Sequence, residues 1–192
     1  MTTLVYGVGI NDRSVATTLN GKITKEYALW HSMLQRCYSK PYLEKKPTYI
    51  GCGVSDTFLY YHLFRVWCQT QVGFGKEEYQ LDKDLLIKGN KLYSEDTCVF
   101  IPKSLNLLLA KRTLDRGLLP IGVTKHGKGF LARCTMYGKE KSLGTFDTPE
   151  LAFIAYKTFK EAHIKEQAEI YKDVIDPRAY LALLNYEVSI DD

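Results

Sequence analysis

The chain has 192 residues, with 26 Lys or Arg against 22 Asp or Glu, so its formal net charge is +4. This length suits one large domain or two small ones, and a hydrophobic content of 45% is enough to build a packed core. No apolar run reaches the roughly 18 residues of a membrane span, and the N-terminus lacks a secretory signal pattern. The five cysteines are scattered, which argues against a disulfide framework and indicates a reducing compartment.

The charge is unevenly distributed along the chain. Residues 1–110 hold 13 basic and 10 acidic side chains, whereas residues 111–148 hold eight basic and three acidic. Residues 149–192 hold five basic and nine acidic side chains and form an acidic end. A short basic stretch of this kind is typical of a phosphate-binding surface, although chance clustering on a solvated surface gives the same pattern.

The first half is predicted to open with a strand over residues 4–10 and to continue with two helices. Thr24 caps a helix through Tyr38 whose apolar residues recur at helical spacing. A loop over residues 39–53 separates it from an aromatic-rich helix over about residues 58–71. The tyrosines and lysines in and beside this loop can contact nucleic acid or can simply anchor the loop. They are Tyr38, Lys40, Tyr42, Lys45, Lys46 and Tyr49.

A β-hairpin followed by a short helix is predicted next. Residues 81–86 form the first strand, and Gly89-Asn90 makes a tight turn because both residues tolerate positive φ. Residues 98–101 form the partner strand, and Ser104 caps a helix over residues 105–111.

After a polar hinge over residues 112–120, the second half is predicted to form a three-stranded antiparallel sheet and one long helix. The helix begins at Thr148-Pro149, with Thr as its cap and Pro at the first helical position. A sheet this small needs a cover for its apolar face, and the helix supplies one. The expected strands cover residues 121–124, 130–136 and 140–146.

These elements resemble the ethylene-response-factor (ERF) type of DNA-binding domain, the APETALA class. The resemblance covers residues 119–165, and its motifs are Ile121-Gly122-Val123, Phe130-x-Ala132-Arg133, Leu143-Gly144-x-Phe146-Asp147-Thr148-Pro149-Glu150 and Ala152-x-x-Ala155-Tyr156. In that family the exposed face of the sheet lies in the DNA major groove, and strand side chains reach bases and phosphates. The strands here lack the tryptophans of the plant pattern, so a different target sequence is expected.

Strand alternation places Arg133 on the face opposite Phe130, Ala132 and Cys134. Arg133 is therefore the expected major-groove reader, because its planar fork can pair with guanine. Four lysines at strand ends and turns are expected to contact phosphates, with ordinary solvated side chains as the alternative. They are Lys125, Lys128, Lys139 and Lys141.

The predicted hairpin and helix resemble the HNH class of phage and intron endonucleases, which hold one metal ion between such elements. The resemblance implies Asp82 and Asn106 as ligands of Mg²⁺, and oxygen donors suit that ion. Lys83 stands where the class has its general-base His, and Thr97 replaces the Asn that orients that His. Asp84 adds a second carboxylate, so the catalytic candidates are Asp82, Lys83 and Asp84. The alternative is that these three residues form a charged hairpin edge.

Residues 4–165 together resemble a family of tailed-bacteriophage HNH or homing endonucleases with an appended DNA-binding domain. Its motifs here include Tyr6-Gly7-Val8-Gly9-Ile10-Asn11-Asp12, Trp30-x-x-Met33-Leu34-x-Arg36-Cys37-Tyr38 and Leu81-Asp82-Lys83-Asp84. The fold expected is α+β, with an HNH-like region over residues 1–111, an ERF-like domain over residues 112–172 and an acidic tail over residues 173–192.

The function expected is binding of double-stranded DNA in the cytoplasm of a bacterial host, with a degenerate catalytic site. One alternative is a nicking or homing endonuclease that requires Mg²⁺. A second alternative is a protein that binds and inhibits a host factor. No membrane partner and no nucleotide cofactor are expected.

Overall fold

The structure is a computed structural model that describes residues 4–110, 119–136 and 138–190. The fold is α+β, as predicted, with helices and several small, mostly antiparallel sheets. Two compact units divide the chain, Met1–Pro102 with Val174–Ala179, and Lys103–Asp173 with Tyr180–Asp192. Within the described ranges no helix is long and apolar enough to cross a membrane.

The helices of the first unit surround an aromatic core, and its strands are short. The core includes the fully buried Trp30, Phe58, Tyr61 and Phe64, and the Trp30 indole donates a hydrogen bond to the Phe58 carbonyl at 2.8 Å. The helices are α1 (Lys25–Tyr38), α2 (Lys40–Lys45), α3 (Asp56–Leu59) and α4 (Tyr61–Thr70), with a 3₁₀ turn at Pro47–Tyr49. The strands are β1 (Thr18–Leu19), β2 (Lys22–Ile23), β3 (Gly53–Val54), β4 (Tyr79–Asp82), β5 (Leu92–Tyr93) and β6 (Val99–Pro102).

Three predictions for this unit need correction. The strand expected over residues 4–10 is wrong, because a tight turn with a Val5–Gly9 bridge occupies this segment. The loop expected over residues 39–53 contains α2 and the 3₁₀ turn. The single helix expected over residues 58–71 is interrupted at Tyr60, where the extended backbone pairs with Ile10.

The predicted pairing of two strands around the Asp82 segment is present, with different bounds. β4 and β6 are antiparallel, with Asp82 opposite Val99. β4 ends at Asp82 rather than continuing to residue 86, because the Asp82 carboxylate accepts the amides of Asp84 and Leu85 and turns the chain. The connection to β6 is long and contains β5, which pairs with β3 in parallel.

The second unit contains a three-stranded antiparallel sheet with the order β7 (Val123–His126), β8 (Gly129–Met136) and β9 (Lys139–Phe146). Helix α6 (Pro149–Tyr171) covers one face, and Thr148 caps it by accepting the Leu151 amide, as predicted. The apolar core between sheet and helix includes Val123, Ala132, Cys134 and Phe153. The sheet predicted for this segment and its covering helix are therefore confirmed.

Gly122 fixes the distance between the helix and the first strand of this sheet. Its φ is +76°, and a Cβ atom built there would lie 2.1 Å from the Tyr156 ring of α6. The Gly122 carbonyl also accepts the Arg133 amide at 2.8 Å. Only a residue without a side chain can bring the backbone this close to the ring.

Helix α5 (Lys103–Leu109) begins one residue before its predicted Ser104 cap, and α7 (Pro177–Leu184) contributes residues to both units. α7 lies in the segment for which an acidic tail was predicted, and Ala179, Leu183 and Val188 are buried there. Residues 112–118 of the predicted hinge, and residue 111 at the end of the predicted helix, lie outside the described residues.

Candidate nucleic-acid interface and the Asp82–Asp84 turn

The sheet of the second unit has one face packed on α6 and a second face that is polar. Ala132 and Cys134 are almost completely buried, whereas their strand neighbours Leu131, Arg133 and Thr135 are partly or fully exposed. This agrees with the predicted alternation. The polar face also carries hydroxyl groups from β7 and β9, which can hydrogen bond to phosphates or base edges. These are Thr124, Ser142 and Thr145.

Arg133 lies on this polar face and is held by an acidic neighbour. Its Nη1 atom lies 2.9 Å from Oε2 of Glu140, and the two side chains are 41% and 55% exposed. A surface ion pair of this kind contributes only about 0–1 kcal/mol, so Arg133 can exchange Glu140 for another partner at little cost. Sequence reasoning missed Glu140, because its proximity to Arg133 depends on the register of β8 and β9.

The lysines predicted to contact DNA do not share the face of Arg133. Lys125, Lys139 and Lys141 pair with Phe130, Met136 and Cys134, so they project toward the helix side of the sheet. All three are exposed, and the ammonium of Lys141 lies 4.6 Å from the centre of the Phe159 ring.

These lysines occupy the two ends of the central strand. Lys125 and the exposed Lys128 lie at the β7–β8 turn, and Lys139 begins β9 at the other end. The eight residues of β8 separate these ends by about 23 Å, at about 3.3 Å per residue. The structure therefore places these cations at the two ends of the sheet, with Lys125, Lys139 and Lys141 on its helix side rather than on the polar face.

The three catalytic candidates lie in one turn of the first unit, where they hold the backbone. Asp82 Oδ1 accepts the amides of Asp84 and Leu85 at 2.9 and 2.7 Å, and burial raises the pKa of the Asp82 carboxyl. The Lys83 side chain is 9% exposed, and its ammonium contacts the Asp84 carboxylate and donates to the Asn90 carbonyl at 2.9 Å.

Asn90 completes this turn, and sequence reasoning assigned it only to a tight turn. Its side-chain amide donates to the carbonyls of Lys83 and Leu92, at 2.7 and 2.6 Å. The Lys83 ammonium also lies 5.7 Å from the centre of the Tyr93 ring. These hydrogen bonds join the Lys83 end of the loop to its Asn90–Leu92 end, and the buried Lys83 ammonium acts as a donor in them.

The metal site predicted from the HNH resemblance has its two ligands in different units. Asp82 ends β4 in the first unit, and Asn106 lies on α5 in the second. Among the described residues no group of three or more His, Cys, Asp or Glu side chains is arranged to hold a metal ion. Within its own unit, the Asp82 carboxylate acts as the acceptor that shapes the turn.

Comparison with family models, with curated protein sequences and with solved structures finds no match to this chain. The ERF-like and HNH-like resemblances stay predictions, carried by residues 119–165 and by the Asp82 segment. Any function assigned to the protein accordingly depends on the charges, faces and contacts of its own residues.

Proposed function

We propose that this protein binds double-stranded DNA through the sheet of its second unit and does not cleave it. In this proposal it is a phage-encoded relative of the HNH homing endonucleases with an ERF-like module, and it acts in the cytoplasm of a bacterial host. The observation that carries the proposal is the partly exposed Arg133 on a polar sheet face, in a sheet that has exposed lysines at both of its ends.

The chemistry of this face fits a DNA groove. The major groove is about 12 Å wide and admits β-strands, and an arginine fork can pair with O6 and N7 of guanine. On binding, Arg133 would leave Glu140 for a base. Lys125 and Lys128 at one end, with Lys139 and Lys141 at the other, would contact the phosphates.

The turn around Lys83 supports binding without cleavage. A general base must accept a proton from water, whereas the Lys83 ammonium donates to Asp84 and to the Asn90 carbonyl. Asp82 likewise uses one carboxylate oxygen to hold the backbone of the turn. Mg²⁺ is therefore not required for the activity proposed.

Binding is tested by fluorescence anisotropy with labelled duplexes, first random and then selected for affinity. Arg133→Ala is expected to cost about 1–3 kcal/mol on the selected duplex and less on random DNA, because it removes a base contact. Lys141→Ala should weaken binding to all sequences and lower the salt-dependence slope by about 1. Lys165→Ala, an exposed lysine on α6, is the matched control. Unchanged affinity in both test variants would refute the proposal.

Cleavage is tested on supercoiled plasmid with EDTA, and then with Mg²⁺ or Mn²⁺. The expected result is a salt-sensitive gel shift without nicked or linear product. Metal-dependent nicking that Asp82→Ala abolishes would instead establish the endonuclease alternative. Co-purification of a host protein, with no affinity for bare DNA, would replace the proposal with inhibition of a host factor.

A further inference from the structure

The positive charge of residues 1–110 is concentrated in one segment that the proposed interface does not use. Residues 1–110 hold 13 basic and 10 acidic side chains, and residues 36–49 alone hold four basic and one acidic. The rest of residues 1–110 is therefore neutral, with nine of each sign. We call residues 36–49 the α2 surface, because helix α2 lies at its centre.

The α2 surface is built around an arginine in a fixed position. The Arg36 guanidinium lies 5.8 Å from the centre of the Tyr49 ring, and it hydrogen bonds to the buried Tyr93 side chain. Tyr42 packs edge-on against Tyr49, with ring centres 5.8 Å apart. Burial raises the pKa of the Tyr49 phenol.

The remaining cations of this surface are exposed, and its backbone is anchored. Lys40, Lys45 and Lys46 are all exposed, and the one acidic side chain in the segment is Glu44. The backbone is held from outside by Lys91, whose ammonium donates to the Thr48 carbonyl at 2.8 Å. An anchored segment presents its cations with little loss of chain entropy on binding.

We propose that the α2 surface is a second DNA-contact surface that binds the phosphodiester backbone of a duplex. This inference rests on the function proposed above and extends the DNA footprint to the first unit. The exposed lysines supply charge without base selectivity, and the positive charge of Arg36 adds to theirs.

The aromatic rings favour backbone contact over stacking on single-stranded bases. Stacking needs an open ring face, whereas the Tyr49 ring carries the Arg36 guanidinium and contacts Tyr42. In this proposal the exposed cations make the contacts, and the Tyr49 ring positions Arg36. A surface of this kind binds duplexes of any sequence.

The test compares two double variants of the full chain that remove equal charge. Lys45→Ala/Lys46→Ala removes two lysines of the α2 surface, and Lys22→Ala/Lys165→Ala removes two exposed lysines elsewhere. Affinity for a 30-base-pair duplex is measured by anisotropy from 50 to 300 mM KCl. Each lost phosphate contact lowers the slope of log K against log salt by about 0.9. The slope of the Lys45→Ala/Lys46→Ala variant should therefore fall by about 2.

The expected result is this loss of slope in the α2-surface variant, with a near wild-type slope in the control variant. Equal melting temperatures by circular dichroism confirm that both variants are folded, since exposed lysines rarely affect stability. If the α2-surface variant keeps the wild-type slope while Arg133→Ala still weakens binding, the second surface is refuted and the proposed function stands. If wild-type protein binds no duplex at all, both proposals fail.

Discussion

Replacing Gly122 by Ala tests how helix α6 packs on the sheet of the second unit. Gly122 has a φ of +76°, and the added Cβ would lie 2.1 to 2.5 Å from three atoms of the Tyr156 ring. A left-handed backbone costs an alanine about 1–2 kcal/mol, and overpacking a filled site costs typically about 1–3 kcal/mol. The expected loss in the free energy of unfolding is therefore about 2–5 kcal/mol.

Gly127→Ala separates the cost of the left-handed backbone from the cost of overpacking. Gly127 also has positive φ, +57°, but a Cβ there meets nothing within 4 Å. It should therefore lose only the conformational part, about 1–2 kcal/mol. Both variants gain equally from the reduced entropy of the unfolded chain, so that effect cancels in the comparison.

The assay is urea unfolding followed by far-ultraviolet circular dichroism, with the midpoint and slope compared among wild type and both variants. In a Tyr156→Ala background, Gly122→Ala should cost no more than Gly127→Ala, because the ring that it meets is gone. Equal losses for Gly122→Ala and Gly127→Ala in the native background would refute the packing argument.

Two further predictions concern charge at the two sites. Glu140→Gln should tighten duplex binding, measured by anisotropy, because it removes the negative charge beside Arg133. Urea unfolding should show a change in stability of less than about 1 kcal/mol. Weaker duplex binding would contradict the role given to Arg133. Burial raises the pKa of the Asp82 carboxyl in the folded state above its value in the unfolded chain. Ionisation of Asp82 therefore lowers the free energy of unfolding in full above the folded-state pKa, and not at all below the unfolded-state pKa. Asp82→Asn keeps an oxygen for the turn and should raise the unfolding free energy at pH 7 but not at pH 3; a loss at pH 7 would mean that the carboxylate charge stabilises the turn.

Much of the local structure follows from short-range signals in the sequence. Thr24 and Thr148 cap their helices as predicted, because a hydroxyl three residues before a helical amide needs no tertiary partner. The division of β8 into a buried and a polar face follows from its alternation, so the exposure of Arg133 could be predicted. The break at Tyr60 could not be predicted, because it depends on pairing with the distant Ile10.

The sequence by itself determined the class of fold, the helix caps and the face of Arg133. Only the tertiary structure decided which residues share that face across the sheet. Strict alternation along β9 would place Phe146 on the face of Glu140, but the register shifts near Gly144, whose φ is +121°. A shift of one residue reverses every later side chain, so Phe146 joins the core with α6 while Glu140 stays beside Arg133. The tertiary structure also decided that Lys83 is a hydrogen-bond donor within its turn. The Asn90 carbonyl that accepts from its ammonium comes close only when the loop closes.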